Sequence, residues 1–151
     1  MTLTLTVGKK EYTAKASFAF LKSIESLGQF AEQTGKVEGG LETLLQGLVQ
    51  NEPTSLVDFW VAATAHNTKK EIPSRSEIES ALEEHIEENG LDELFKSAYN
   101  FMRNSGFFAK KVKTFWEMFE MAETLGQTDE EKEQNKSMVE YMMKLKAEIE
   151  A

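Results

Sequence analysis

Thr2–Leu27 reads TLTLTVGKKEYTAKASFAFLKSIESL, and a change of period inside it decides the fold. Leu3, Leu5 and Val7 alternate with Thr4 and Thr6, which gives an extended strand one apolar face and one hydroxyl-bearing face. Gly8, Lys9 and Lys10 interrupt the alternation before Tyr12, Ala14 and Ala16 resume it, the pattern of a β-hairpin. From Ser17 the spacing lengthens: Phe20, Ile24 and Leu27 share one row with Leu21 beside it, as on an amphipathic helix. A lone two-stranded hairpin is marginal in water, so helices further along must cover its apolar face.

The rest of the chain supplies those helices. Gln33–Gly40, QTGKVEGG, carries three glycines and no period, and reads as a linker. Leu41, Leu44, Leu45 and Leu48 then follow at i, i+3, i+4 and i+7. Burying four leucines contributes about 6–12 kcal/mol. Ordering about ten backbone units costs about 1–2 kcal/mol each, so this helix forms only within a larger core. Pro53 opens the next, with Thr54 or Ser55 as cap, Leu56, Trp60 and Ala63 on one side and Phe59 close by. Asn67–Ser74 is a polar turn containing Pro73. Ser74 with Glu77, or Ser76 with Glu79, makes a capping box ahead of Ile78, Leu82 and Ile86, and Gly90 is placed to end that helix. Leu91, Leu94, Phe95, Ala98, Phe101 and Met102 describe another, halted near Asn104. A further helix runs from Phe107 to Gly126, and Thr128 with Glu131 caps a last one that opens on the charged DEEKEQNK. The expected class is α+β and mostly α: an N-terminal antiparallel β-hairpin packed on a bundle of six or seven helices. Residues 1–126 are expected as one globular domain, and 127–151 as a charged start and C-terminal amphipathic helix able to detach.

Composition narrows the function. The 151 residues include no cysteine, which excludes a disulfide framework, a thiolate metal site and a cysteine nucleophile. The start lacks a signal-peptide pattern and no apolar run nears the ~18 residues of a membrane span, so a soluble intracellular protein is expected. Seventeen Lys and Arg face 26 Asp and Glu, a net charge of −9, which argues against binding a phosphate backbone. His85 stands between Glu84 and Glu88, but one histidine with unpositioned carboxylates reads better as a solvated acidic helix face than as a metal site. His66 ends a helix pattern, where it suits the dipole. No phosphate loop or nucleophile elbow is present. No enzymatic activity, cofactor or metal is expected.

The informative excess is aromatic and sulfur-rich. Between Phe95 and Met121 lie Phe95, Tyr99, Phe101, Met102, Phe107, Phe108, Phe115, Trp116, Met118, Phe119 and Met121. Core accounts for most of them. Consecutive rings such as Phe107–Phe108 and Phe115–Trp116 nevertheless point in different directions, so the helix is either wrapped by neighbours or shows a face to a partner. Phe107, Phe108, Phe115, Trp116 and Phe119 are the candidate partner contacts. Met138, Met142 and Leu145, in a row continued by Ile149, have the 4-3-4 spacing of a short coiled-coil seam and join that set. The row either folds back on the domain or forms a partner-binding or dimerising arm.

Four stretches carry a resemblance: LTVGKKEYTAKASFAFLKSI, GLETLLQGLVQ, SLVDFWVAATA and SEIESALEEHIEENGLDELFKSAYNFMRNSG. In their order and character they resemble the tail assembly chaperones of long-tailed phages and prophages of Gram-positive bacteria, over Thr2–Lys113 and weakening beyond Phe115. The resemblance implies a non-enzymatic protein of the host cytoplasm, absent from the mature virion. It would keep the apolar helical tape measure protein soluble and help recruit tail tube subunits. It also implies self-association and, often, a longer frameshifted form of which this chain would be the unextended one. The competing expectation, from the charge of −9, is an acidic regulatory adaptor or nucleic-acid mimic occupying a basic site on a host protein.

Overall fold

The computed structural model describes residues 2–31 and 36–151. β1 (Thr4–Val7) pairs antiparallel with β2 (Lys10–Thr13), Thr4 opposite Thr13 and Val7 opposite Lys10. Gly8 opens the two-residue loop at φ +64°, the positive value that tight hairpin loops need there. Leu5 and Val7 are buried and Thr4 and Thr6 exposed, as the alternation predicts. The Ala14 amide donates to the Leu3 carbonyl at 2.8 Å, and the Lys15 amide to the Ala63 carbonyl at 3.1 Å. The first extends the hairpin's own ladder, and the second fastens the hairpin to the end of α3 (Pro53–Ala63).

α1 (Phe18–Ile24) begins where Ser17 Oγ accepts the Phe20 amide, then tightens into a single 3₁₀ turn, Glu25–Leu27. A second hairpin follows. β3 (Gln29–Ala31) and β4 (Lys36–Glu38) pair antiparallel with Phe30 opposite Val37. This corrects the linker reading of Gln33–Gly40: Lys36–Glu38 is strand, and the pairing meets the hydrogen-bonding demand of backbone that carries no period of its own. Residues 33–35 of that stretch lie outside the described residues.

α2 (Gly40–Val49) buries Leu41, Leu44, Leu45 and Leu48 on one face. α2 lies tight against α3 at Gly47: a Cβ added there would collide with the Oγ of Ser55 and lie 2.9 Å from its Cβ. α4 (Arg75–Asn89) starts with a complete capping box, in which Ser74 Oγ accepts the Glu77 amide at 3.1 Å and the Glu77 carboxylate accepts the Ser74 amide at 3.0 Å. α4 packs on α3 and β1 through Ile78 and Leu82. α5 (Asp92–Asn104), α6 (Ala109–Ala122) and α7 (Asp129–Glu150) complete the chain.

Phe20 sits at the centre of the core, its ring 5.7 Å from Phe59 and 4.8 Å from Phe108. α1, α2 and α3 pack on one another around it, and α5 packs on α2 and α3. α6 and α7 form an outer layer on α5, with α7 folded back across α5, α6 and α2. Among the described residues there are seven α-helices and two antiparallel hairpins, so the fold is α+β and mostly α. No described helix is long and apolar enough to cross a membrane.

Candidate interaction surface

Five of the eight expected contact residues are buried in the folded monomer: Phe108, Phe115, Trp116, Met142 and Leu145. Phe108 lies against Phe20, closing the base of α6 onto the core. Trp116 is fixed by a polar clasp. Its indole N–H donates to the Tyr99 hydroxyl at 2.8 Å, and Tyr99 in turn donates to a Glu150 carboxylate oxygen at 2.7 Å. Arg103 reaches the other Glu150 oxygen at 3.1 Å, and Asn100 donates to the Ile149 carbonyl at 3.3 Å. Residues of α5, α6 and α7 are thereby joined through one buried phenol. Burial holds the Tyr99 phenol far above its ordinary pKa, and the Glu150 carboxylate that accepts its proton pushes it further the same way.

The apolar side of α7 is Val139, Met142, Leu145 and Ile149. Met138, expected on that row, is exposed, and Val139 takes its place. The Gln50 amide approaches the Met142 sulfur at 3.8 Å, so the middle of α7 also meets the end of α2. Lys146 lies over the Trp116 ring, 5.6 Å from its centre.

Phe107 and Phe119 keep some surface. Phe119 is half-buried beside Phe115, with ring centres 5.1 Å apart. Phe107, 40% exposed, stands edge-on to Phe18 with ring centres 5.1 Å apart, and Phe18 itself is 78% exposed. Phe18 is not among the expected contacts, although its position holds the signal. Two residues before Phe20 on a helix is a turn of about 200°, which puts Phe18 on the face opposite the buried row. Phe107 and Phe108 link this outer pair to Phe20, so the aromatic chain runs from solvent to core.

A second apolar row lies on the outside of α6 and its C-terminal turn, where Met118, Met121 and Leu125 are 59%, 66% and 60% exposed at i, i+3 and i+7. The charges around it are inverted. Lys110, Lys111 and Lys113 occupy the start of α6, which has no side-chain cap and no acidic residue in its first turn. Glu117, Glu120 and Glu123 occupy its second half and end. A helix dipole favours the opposite order by about 0.3–1 kcal/mol per charge. α5 obeys the rule, with Asp92 and Glu93 in its first turn and Arg103 in its last. Among the described residues none of these six α6 charges joins an ion pair.

A hollow of about 670 Å³ opens between the start of β1 and α5, lined among others by Leu3, Ala16, Lys96, Asn100 and Phe101. Its polar side chains are a lysine, a glutamate, a threonine, two serines and two asparagines. Among the described residues no three His, Asp or Glu side chains converge on one point, His85 included. The Glu77 carboxyl is held below the usual range by the Ser74 amide and hydroxyl at the head of α4.

No curated protein and no solved structure matches the chain significantly. A family model does, and it spans hairpin, α1 to α5 and α6 as far as Glu117: residues 4–117, or 114 of 151, match the model described as phage tail assembly chaperone protein, and the chain belongs to that family.

Proposed function

We propose that this protein binds the tape measure protein, keeps it soluble before the tail forms around it, and helps bring tail tube subunits to it. Membership of the chaperone family supports the reading. The observation that carries it is the Phe18–Phe107 pair, two aromatic rings held edge to face at the surface by Phe108 behind them. A pre-set aromatic pair meets an apolar helix at low entropic cost, since its geometry is already ordered. Of the residues expected at a partner interface, Phe107, Phe119 and Met138 are reachable in the folded monomer. Trp116, Met142 and Leu145 come within reach only when α7 lifts. The reading assigns the protein no chemistry, places it in the host cytoplasm and leaves it out of the finished virion.

Co-expression tests this. A tape measure protein that is insoluble alone should stay soluble with the wild-type chain and precipitate with the Phe18→Ser, Phe107→Ser double variant. Equal recovery with the double variant overturns the assignment of the contact. Insolubility with the wild-type chain overturns the function.

One observation favours the acidic adaptor as a second reading. α4 exposes Glu79, Glu83, Glu84, Glu87 and Glu88, a strip of carboxylates with no described ion pair. Binding through that strip would weaken steeply with added salt, whereas contact through Phe18 and Phe107 would persist or tighten in sulfate. A salt titration of the captured partner separates them.

A further inference from the structure

We infer, resting on the function proposed above, that α7 occupies in the folded monomer a groove that receives an amphipathic helix of the client, and that it keeps this second contact surface closed until such a helix displaces it. The groove is walled by α2, α5 and α6. Met142 meets Gln50 at the end of α2, Glu150 meets Tyr99 and Arg103 on α5, and Lys146 lies over Trp116 on α6. Gln50, Tyr99, Arg103 and Trp116 all lie within the family match, and α7 begins beyond it.

Three features mark α7 as displaceable. Of its 22 residues only Val139, Met142, Leu145 and Ile149 are buried, all in the second half, and from Asp129 to Met138 all but Asn135 are exposed. Its last turn carries Glu148 and Glu150 and no basic residue, against the helix dipole, so that end depends on the Glu150 clasp and on the Asn100 bond to the Ile149 carbonyl. Nor does α7 fill its seat: a hollow of about 370 Å³ remains beside its last turns, lined among others by Val49, Phe95, Leu145 and Ile149. What α7 presents defines the helix that replaces it. Apolar residues fall at i, i+3, i+6 and i+10, as at Val139, Met142, Leu145 and Ile149, and a carboxylate at i+11 meets Tyr99 and Arg103. A helix without that acid leaves the buried phenol short of an acceptor. Because α7 is tethered, it competes at an effective concentration in the millimolar range, and a client helix binds in proportion to the fraction of chain that stands open.

A labelled peptide of residues 128–151, read by fluorescence anisotropy against the full chain, tests it. Wild type should take it up poorly. Met142→Glu with Leu145→Glu, both on α7 and off the groove walls, should bind it at least about tenfold more tightly, with helix content by circular dichroism lowered by no more than α7 supplies. The same peptide carrying Glu150→Lys, which meets Arg103 with like charge, should bind that open variant about tenfold less well. A second pair keeps the test independent of how the open variant folds: Gln50→Cys with Met142→Cys, in a chain with no other cysteine, joined by a short bis-maleimide. Joined, it should take up no peptide. Before joining, loosened by the lost Met142 side chain, it should take up more than wild type. The open variant should also hold more tape measure protein in solution than wild type does. Equal peptide uptake by wild-type, open and joined chains, or an open variant that takes up the peptide yet holds no more of the client, overturns the proposal. Failure of the wild-type chain to hold the client, with peptide uptake as expected, overturns the proposed function and not the groove.

Discussion

Replacing Tyr99 by phenylalanine removes one oxygen and breaks two hydrogen bonds, those to Trp116 and Glu150. Trp116 is buried, so its indole N–H is left without a partner, at a cost of about 1–3 kcal/mol. Glu150 retains Arg103 and some solvent, so the second loss is smaller, about 0.5–1.5 kcal/mol. The sum, about 1.5–4.5 kcal/mol, corresponds in a domain of this size to a melting temperature lowered by about 3–18 °C. Urea unfolding followed by circular dichroism reads the free energy directly. Trp116→Phe supplies the control, because once the indole N–H is gone the Tyr99 hydroxyl has less to satisfy. In that background Tyr99→Phe should cost about 1 kcal/mol less or better. Hydrogen exchange should localise the damage to the last turns of α7, which the clasp holds, ahead of α3. For residues 127–151 to detach, the clasp is the contact that would have to open. A variant within ~0.5 kcal/mol of the parent, or two additive substitutions, would refute the account of the phenol as the bond between three helices.

Phe108→Ser should cost about 3–5 kcal/mol, the range for truncating a buried phenylalanine, while Phe18→Ser should fall within about 0.5 kcal/mol of the parent; thermal melts compare them. Tyr99 also sets an alkaline limit. Its folded pKa lies above the unfolded value, so its contribution is complete below the unfolded pKa of about 10 and declines as pH rises beyond it toward the folded one, which urea midpoints from pH 8 to 11 should follow. Glu77 has the opposite sign. Its folded pKa is depressed, so its contribution is present above the ordinary carboxylate range and lost as pH falls through the lowered value; Ser74→Ala should flatten that acid dependence and cost about 0.5–2 kcal/mol of helix cap at pH 7.

Elements whose physics is local could be read from the chain. The alternation of Leu5 and Val7 with Gly8 behind them, the leucine stripe of α2 and the Ser74–Glu77 box each carry their signal within a few residues, and each is present. The second hairpin was not legible, because strands of three residues are too short for a period of two to register against Gln, Lys and Glu. The sequence also shows that Phe115 and Trp116 cannot both face one neighbour. Whether the second face meets another helix or a partner depends on where α7 lies, which is tertiary information. α7 lies back on α5 and α6, so both rings are enclosed and Trp116 finds its hydrogen bond in Tyr99. Val139 in place of Met138 on the inner row is a shift of one residue, about 100° on the helix wheel, and is set by the same docking.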